Sequence, residues 1–320
     1  MTHSFDRSFD FIPFPDEAPS RAAITGHDRL YRDRYHGSLA LHLTALTPVF
    51  ISSGITALGS DVGESVPLLK VMGQSAEGYP ILQGTSIKGC VRSVYETITN
   101  SNVGAGGVAV PDKAAPRRKV AKKWDELSPA ELVFGTMGFQ GLVSIADAVG
   151  DRPLEIGYLP AMFQPRSGSG RKFYHHQPAA TTSPSTSASQ STTPEQPPSP
   201  IQQAPVGTIF TTRLQFRNLT LAQVGAILIA LGHDPNHRFA LKLGAGKGKG
   251  MGSIDIAVDE FQMTKGDALT QSRYMTYGLE RDASQGDSSA AMASAHQSGL
   301  IHADQLARLQ EILHYPEVTS

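Results

Sequence analysis

Residues 178–205 constrain the fold of this chain more than any other stretch. From Pro178 to Pro205 they are almost entirely Ser, Thr, Pro, Ala and Gln, with Glu195 the single charge. Such a composition cannot bury enough apolar surface to offset its ordering entropy, so the segment is expected to be disordered. The strand-like GTIFTTRLQF resumes at Gly207. The segment therefore interrupts one domain rather than separating two.

The flanking sequence reads as alternating strands and helices. SLALHLTALTPVFI, Ser38 to Ile51, alternates and is rich in β formers, which places the first core strand there. In YPILQGTSIKGCVRSVYE, Tyr79 to Glu96, Pro80 keeps the chain extended and Gly84 permits a tight approach or a positive φ. Thr85 or Ser86 can cap a helix whose apolar positions Ile87, Val91, Val94, Tyr95 and Ile98 recur at helical spacing. SPAELVFG reads as a short capped helix, GLVSIADAV as a strand and PLEIGYLPAM as a second strand. After the insertion come GTIFTTRLQF, a helix over Leu219 to Gly232, and HRFALKLGAGKGKGMGSIDIAV, a strand, a glycine-rich loop and a closing strand. The order predicts an α+β chain with a modified ferredoxin-like, RNA-recognition (βαββαβ) core and long insertions.

Three regions follow: an N-terminal arm over 1–33, a core domain over 34–258 and a C-terminal extension over 259–320. FIPF in the arm is expected to pack on this chain or on a neighbour. The core carries a basic excursion over 101–127 and the low-complexity insert. In the extension a helix is expected near 303–315, while 282–298 reads as loose.

A net charge of -1 excludes a general polyanion binder, so any nucleic-acid surface must be a local patch. The single cysteine, Cys90, excludes an internal disulfide framework and a cysteine-rich zinc site. The opening MTHSFDRSFDFIPFPDEAP lacks a signal pattern and no run reaches membrane-spanning length, so a cytoplasmic protein without a membrane partner is expected.

Several motifs could carry chemistry. Lys88 and Arg92, four residues apart, share one face of the predicted helix, and a Gly-preceded helix start with nearby cations suits an anion. Arg117, Arg118 and Lys119 concentrate positive charge in the excursion. LGAGKGKGMGS, Leu243 to Ser253, satisfies neither the phosphate-loop nor the dinucleotide fingerprint. Its alternating glycines bare the backbone beside Lys247 and Lys249, either for a close-lying chain or as a tight bulged hairpin. His233 and His237 have the spacing of some metal ligands but no cysteine partner. In GRKFYHH, His175 and His176 are either RNA contacts or exposed, and Phe173 and Tyr174 are candidate stacking platforms.

PILQGTSIKGCVR, then LVFG with GLVSIADA, then GRKFYHH and finally LKLGAGKGKGMGSIDI together resemble the RAMP superfamily, from about Ser38 to Val258. Its members include the guide-RNA-binding backbone proteins of type III CRISPR effector complexes, which serve antiviral defence. The resemblance implies a modified RNA-recognition fold with finger and thumb excursions. It also implies partners: guide RNA, target RNA, other RAMP subunits and a large signature subunit. Gly84, Thr85, Ser86 and Lys88 would approach guide phosphates, with Arg92 supporting that surface and the Gly244 to Gly252 loop bordering the same groove. Arg117, Arg118, Lys119, Arg171, Lys172, Lys247 and Lys249 complete the RNA-binding set.

Many backbone subunits of the family cleave target RNA with an aspartate on the loop after the first strand, in an Asp-x-Pro. Here GSDVGESVPLLK places Ser65 in that register, with Glu64 one position away and Asp61 four. Asp61 and Glu64 are the candidate catalytic residues of a metal-dependent endoribonuclease, acting as a base or through Mg2+ or another divalent metal. The alternatives are an inactive scaffold subunit and, more remotely, a stand-alone ferredoxin-like nucleotide-binding enzyme.

Overall fold

The computed structural model describes residues 8–103, 126–160, 170–176, 198–275 and 285–316. Its main elements in chain order begin with β1 (Phe9–Ile12), β2 (Tyr35–Ala45), β3 (Ser52–Leu58), β4 (Leu68–Met72), β5 (Ile81–Leu82) and α1 (Gly84–Ile98). Next are α2 (Pro129–Phe134), β6 (Val143–Ile145), β7 (Ala148–Gly150), β8 (Glu155–Leu159), β9 (Arg171–Tyr174) and β10 (Ser199–Gln203). The chain continues with β11 (Ile209–Leu219), α3 (Leu221–Ala230), β12 (Leu241–Lys242), β13 (Ser253–Lys265), α4 (Gly266–Met275), α5 (Ser288–Gln297) and α6 (Ala303–Leu313).

Alternation decides the two longest inner strands. In β2, Leu39, Leu41, Leu43 and Ala45 are buried, and in β11 Phe210, Leu214 and Phe216 are. The residues between them face the other way, as a period of two requires. The main sheet runs β12-β13-β2-β11-β7-β5, with β6 also paired to β11. Strands β13, β2, β11 and β6/β7 are antiparallel neighbours, which is the 4-1-3-2 order of a βαββαβ ferredoxin-like core. Helices α1 and α3 cover the buried face. A capping box starts α3: the Gln223 amide N–H donates to Thr220 Oγ1 at 3.1 Å while the Thr220 N–H donates to Gln223 Oε1 at 2.9 Å.

Four expectations need correction. PLEIGYLPAM, read as a second strand after GLVSIADAV, does not join the main sheet; the next strand of that sheet is β11, beyond the insertion. Glu155–Leu159 joins a second sheet, ordered β8-β10-β4-β3. Among its five residues only Gly157 is buried, too little apolar surface for a central strand. The last eight residues of the insert are also placed: Ser199–Gln203 is strand β10, with Ile201 fully buried. Its glutamines are satisfied by side chains, Gln202 by Gln74 and Gln203 by Glu155. Residues 178–197 of the insert lie outside the described residues.

The extension does not begin at 259, because β13 continues against β2 to Lys265. Nor is 282–298 loose throughout. From Ser288 it is helix α5, capped by Asp287, whose Oδ1 accepts the Ala290 N–H at 2.9 Å. α5 packs so closely on α3 that a Cβ at Gly225 would collide with the carbonyl oxygen of Ala291.

Both flanking regions are fastened to the core. β1 pairs antiparallel with β9, so FIPF packs on this chain, with Ile12 fully buried. Asn218, at a φ of 55°, donates Nδ2 to the carbonyls of Gly26 and Arg29, each at 2.8 Å, and accepts the Tyr31 N–H at 3.1 Å. α6 buries Leu306, Leu309 and Leu313, and Gln305 donates to the Pro13 carbonyl at 3.1 Å. Among the described residues no helix is long and apolar enough to cross a membrane.

Candidate nucleic-acid interface

The motif that opens α1 is built for close approach. A Cβ at Gly84 would collide with the carbonyl of Ile145, and the Gly84 N–H donates to Asp147 Oδ1 at 2.7 Å. Gln83 is the N-cap residue, so Thr85 and Ser86 lie inside the first turn and neither is the cap the sequence suggested. Asp147 does that work from the turn between β6 and β7. Its carboxylate already supplies the negative charge that this helix terminus favours.

Lys88 and Arg92 share a face as expected, but that face points at protein. Lys88 Nζ donates to the Val143 carbonyl at 2.7 Å, and burial, then Arg92, lowers its pKa. Arg92 pairs with Glu96 at 2.7 Å and donates to the Gly135 carbonyl at 2.8 Å. Arg171 is likewise engaged: it is buried, donates to the Ser101 carbonyl at 2.6 Å and lies 4.9 Å from the Phe14 ring centre. Burial pushes its guanidinium down to about 10, against the opposing pull of Glu96. Arg117, Arg118 and Lys119 lie outside the described residues.

Another face of α1 is open. Ser86, Gly89, Cys90 and Ser93, at helical spacing, line a groove of about 470 Å³. Its other walls are Lys172 and Tyr174 of β9 and the start of the glycine-rich loop with Lys247. Small side chains on one wall, with Lys172 and Lys247 on the others, leave room and charge for a polyanion. Lys172 is fixed by aromatic rings, its Nζ 3.6 Å from the Phe9 centroid and 4.9 Å from that of Tyr174. The N-terminal arm thus helps to position a groove cation.

The glycine-rich loop is a pinned hairpin. The Ala245 N–H donates to the Phe50 carbonyl at 2.9 Å and the Gly252 N–H to that of Pro48 at 2.9 Å. Gly244 and Gly252 have φ of 88° and 78°, where a side chain would be strained. A short 3-10 turn, Lys247–Lys249, sits at its centre. Lys247 faces the α1 groove, while Lys249 lines a second cavity of about 620 Å³ with Tyr158, Gln203 and Tyr315. The loop therefore forms a saddle between two hollows.

Beneath it lies a lysine that sequence reasoning missed. Lys242 is buried, and its Nζ donates to the carbonyls of Gly250 and Met251 at 3.0 Å each and to that of His176 at 3.5 Å. Burial, then Lys247, pushes it down to about 7. No local signal marks it: the lysine of LKL sits in an apolar run, and nothing within that run says that its side chain turns inward. The two histidines of GRKFYHH are buried rather than presented to RNA. His176 contacts Ser253 Oγ at 2.9 Å and the carbonyls of Leu313 and Ala240 at 3.1 and 3.2 Å, and burial pushes it down to about 3. Phe173 is buried too, leaving half-buried Tyr174 as the ring at the groove.

The open face of the main sheet is a poor stacking surface. Ser38, Ala40, His42 and Thr44 of β2 lie beside Thr211, Arg213 and Gln215 of β11, and none is aromatic in the manner of Phe, Tyr or Trp. Arg213 is tied to Glu260 of β13 at 3.1 Å and to Ser38 at 2.9 Å.

Asp61 and Glu64 are exposed at the tip of the β3–β4 hairpin and line neither of the two cavities. Ile55, Leu58 and Leu68 are exposed on the same hairpin. His233 is hydrogen-bonded to Arg238 at 2.9 Å, whereas His237 joins Asp234 at 2.9 Å, so the two histidines have separate partners. Among the described residues no group of three or more His, Cys, Asp or Glu could hold a metal ion.

A search of curated proteins finds no match. Among solved structures, the chain is similar to one in the cryo-EM structure of the Type III-B Cmr-beta bound to cognate target RNA, with 14% identity and a TM-score of 0.39. The alignment covers 73% of this chain and 62% of that one, so the chain spans less than two thirds of its length. The family model of the RAMP superfamily matches residues 42–255, from the middle of the first core strand into the last. With that match covering more than half of its length, the chain belongs to the RAMP superfamily.

Proposed function

We propose that this chain is a guide-RNA-binding backbone subunit of a type III CRISPR effector complex, working with other RAMP subunits and a large signature subunit. The observation that carries the reading is the groove in which Lys172, Lys247 and the small-residue face of α1 converge beside bared loop backbone. Such a surface meets phosphates and 2′-hydroxyls without reading sequence, as a subunit that accepts any guide requires. The glycine-rich loop leads into strand β13 rather than a helix, which disfavours a stand-alone nucleotide-binding enzyme.

The test is RNA retention by the full chain across a salt series. Removing one lysine–phosphate pair lowers the slope of log affinity against log salt by about 0.7 for single strands. Lys172→Ala/Lys247→Ala is expected to weaken binding and flatten the slope by about 1.4. Unchanged affinity and slope would remove the reading.

A second reading adds cleavage of guide-paired target RNA, favoured by the exposure of Asp61 and Glu64 at a hairpin tip that can reach another molecule. A carboxylate there would take the proton of a 2′-hydroxyl, whose oxygen attacks the adjacent phosphorus. The 5′-oxygen then leaves and gains a proton from water, giving a 2′,3′-cyclic phosphate. Mg2+ or another divalent cation held by the two carboxylates and RNA oxygens would supply charge stabilisation. Assembled complexes carrying Asp61→Ala/Glu64→Ala are expected to lose one specific cut. Undiminished cutting at this subunit's position would leave a scaffold.

A further inference from the structure

Among the described residues two basic side chains that carry a charge in water are buried, Arg171 and Lys242, histidines aside. Arg171 feels the opposite charge of Glu96. Lys242 has carbonyl oxygens alone, and the charge acting on it is another cation, Lys247.

Among the described residues its surroundings add no counter-charge. From α1 comes Cys90, whose thiol donates to the Lys242 carbonyl at 3.3 Å and is pushed up by burial. From β9 and just beyond come Lys172, the neutral His176, and His175, which has the exposed Asp10 3.6 Å from its ring. The loop brings Lys247 and Lys249, and α6 brings Leu313. A buried ammonium without a counter-charge is costly, and its cost falls when an anion arrives. Lys242 lines the α1 groove, and the longest of its hydrogen bonds, to the His176 carbonyl, is weak enough to be exchanged.

We propose that the inner end of this groove is a phosphate site, with Lys242 as its buried cation and Lys172 and Lys247 at its rim, completed by an RNA phosphate. The proposal rests on the RNA-binding reading and makes Lys242 a binding residue rather than only a brace for the loop. A phosphate beside Lys242 favours its charged form, so binding takes up a proton. Affinity is then full below pH 7 and falls as pH rises above it, by up to about tenfold per pH unit.

The experiment is calorimetric titration of the full wild-type chain with a guide-length single-stranded RNA at pH 7.5, in HEPES and in Tris. The difference in heats counts protons, and an uptake of roughly one half to one proton is expected. Lys242→Arg, which keeps its charge at every pH, is expected to bind with uptake abolished and a flat pH profile. Equal heats in wild type, or uptake that persists in Lys242→Arg, overturns the phosphate site while RNA binding stands. No binding by wild type overturns both readings.

Discussion

Replacing Gly84 with alanine separates a packing role for the RAMP-like motif from an RNA-contacting one. The new methyl would collide with the Ile145 carbonyl and crowd that of Ala146, both backbone atoms that cannot rotate aside. Overpacking against backbone costs about 2–3 kcal/mol. Moving α1 away also breaks the 2.7 Å bond from the Gly84 N–H to Asp147, about 1 kcal/mol for a lost cap. Alanine's better helix propensity returns up to about 1 kcal/mol. The net loss is about 2–3 kcal/mol, or roughly 3–5 °C in Tm for a chain of this size. Asp147→Ala removes the cap alone and should cost about 1 kcal/mol. Thermal unfolding followed by circular dichroism measures both without RNA. If Gly84→Ala melted with wild type, Gly84 would not be the packing hinge described above, and its place in the motif would have to come from the ligand.

Two further outcomes are expected. Burial holds His176 and His233 neutral, down to about 3 and about 4, against an ordinary value of 6.5. As pH falls from 6.5 toward 4 the unfolded chain binds protons that the folded one refuses, so stability falls by up to about 1.4 kcal/mol per pH unit for each ring. Denaturant titrations at pH 4.5, 5.5 and 6.5 measure this, and His176→Gln should reduce the slope; an unchanged slope counts against its burial. Asn218→Ala removes the three bonds that hold the 26–31 segment, at a cost of about 2–3 kcal/mol. Trypsin should then cut faster at Arg29 and Arg32, and equal cutting rates would show that the segment is held by something else.

Local pattern made much of the core legible. The two-residue period of β2 and β11 and the apolar run of α3 are written within a dozen residues each, and the βαββαβ order follows from them. What failed depended on distant partners. Glu155–Leu159 looks like any short strand, and nothing in it says which sheet it joins. Ser199–Gln203 looks too polar to be buried until Gln74 and Glu155 arrive to satisfy its glutamines. The site shows the same division. Lys88 and Arg92 do share a helix face, but that face meets Val143 and Gly135 rather than the groove, which the spacing of two cations cannot reveal. Lys172 and Lys247 do line it, while Lys242 was hidden because a lysine within an apolar run carries no local mark of its direction.

The pairing of β2 with β13 also sets an order in time. The first and last core strands lie side by side although more than 200 residues separate Ala45 from Ile254. Pairings of such separation are slow to form. The groove needs still later sequence, since Leu313 of α6 lines it and Gln305 holds the arm that carries Phe9. A ribosome-bound chain therefore has no finished α1 groove until synthesis has passed α6. Only chains whose central sheet has already closed thereby present a complete groove.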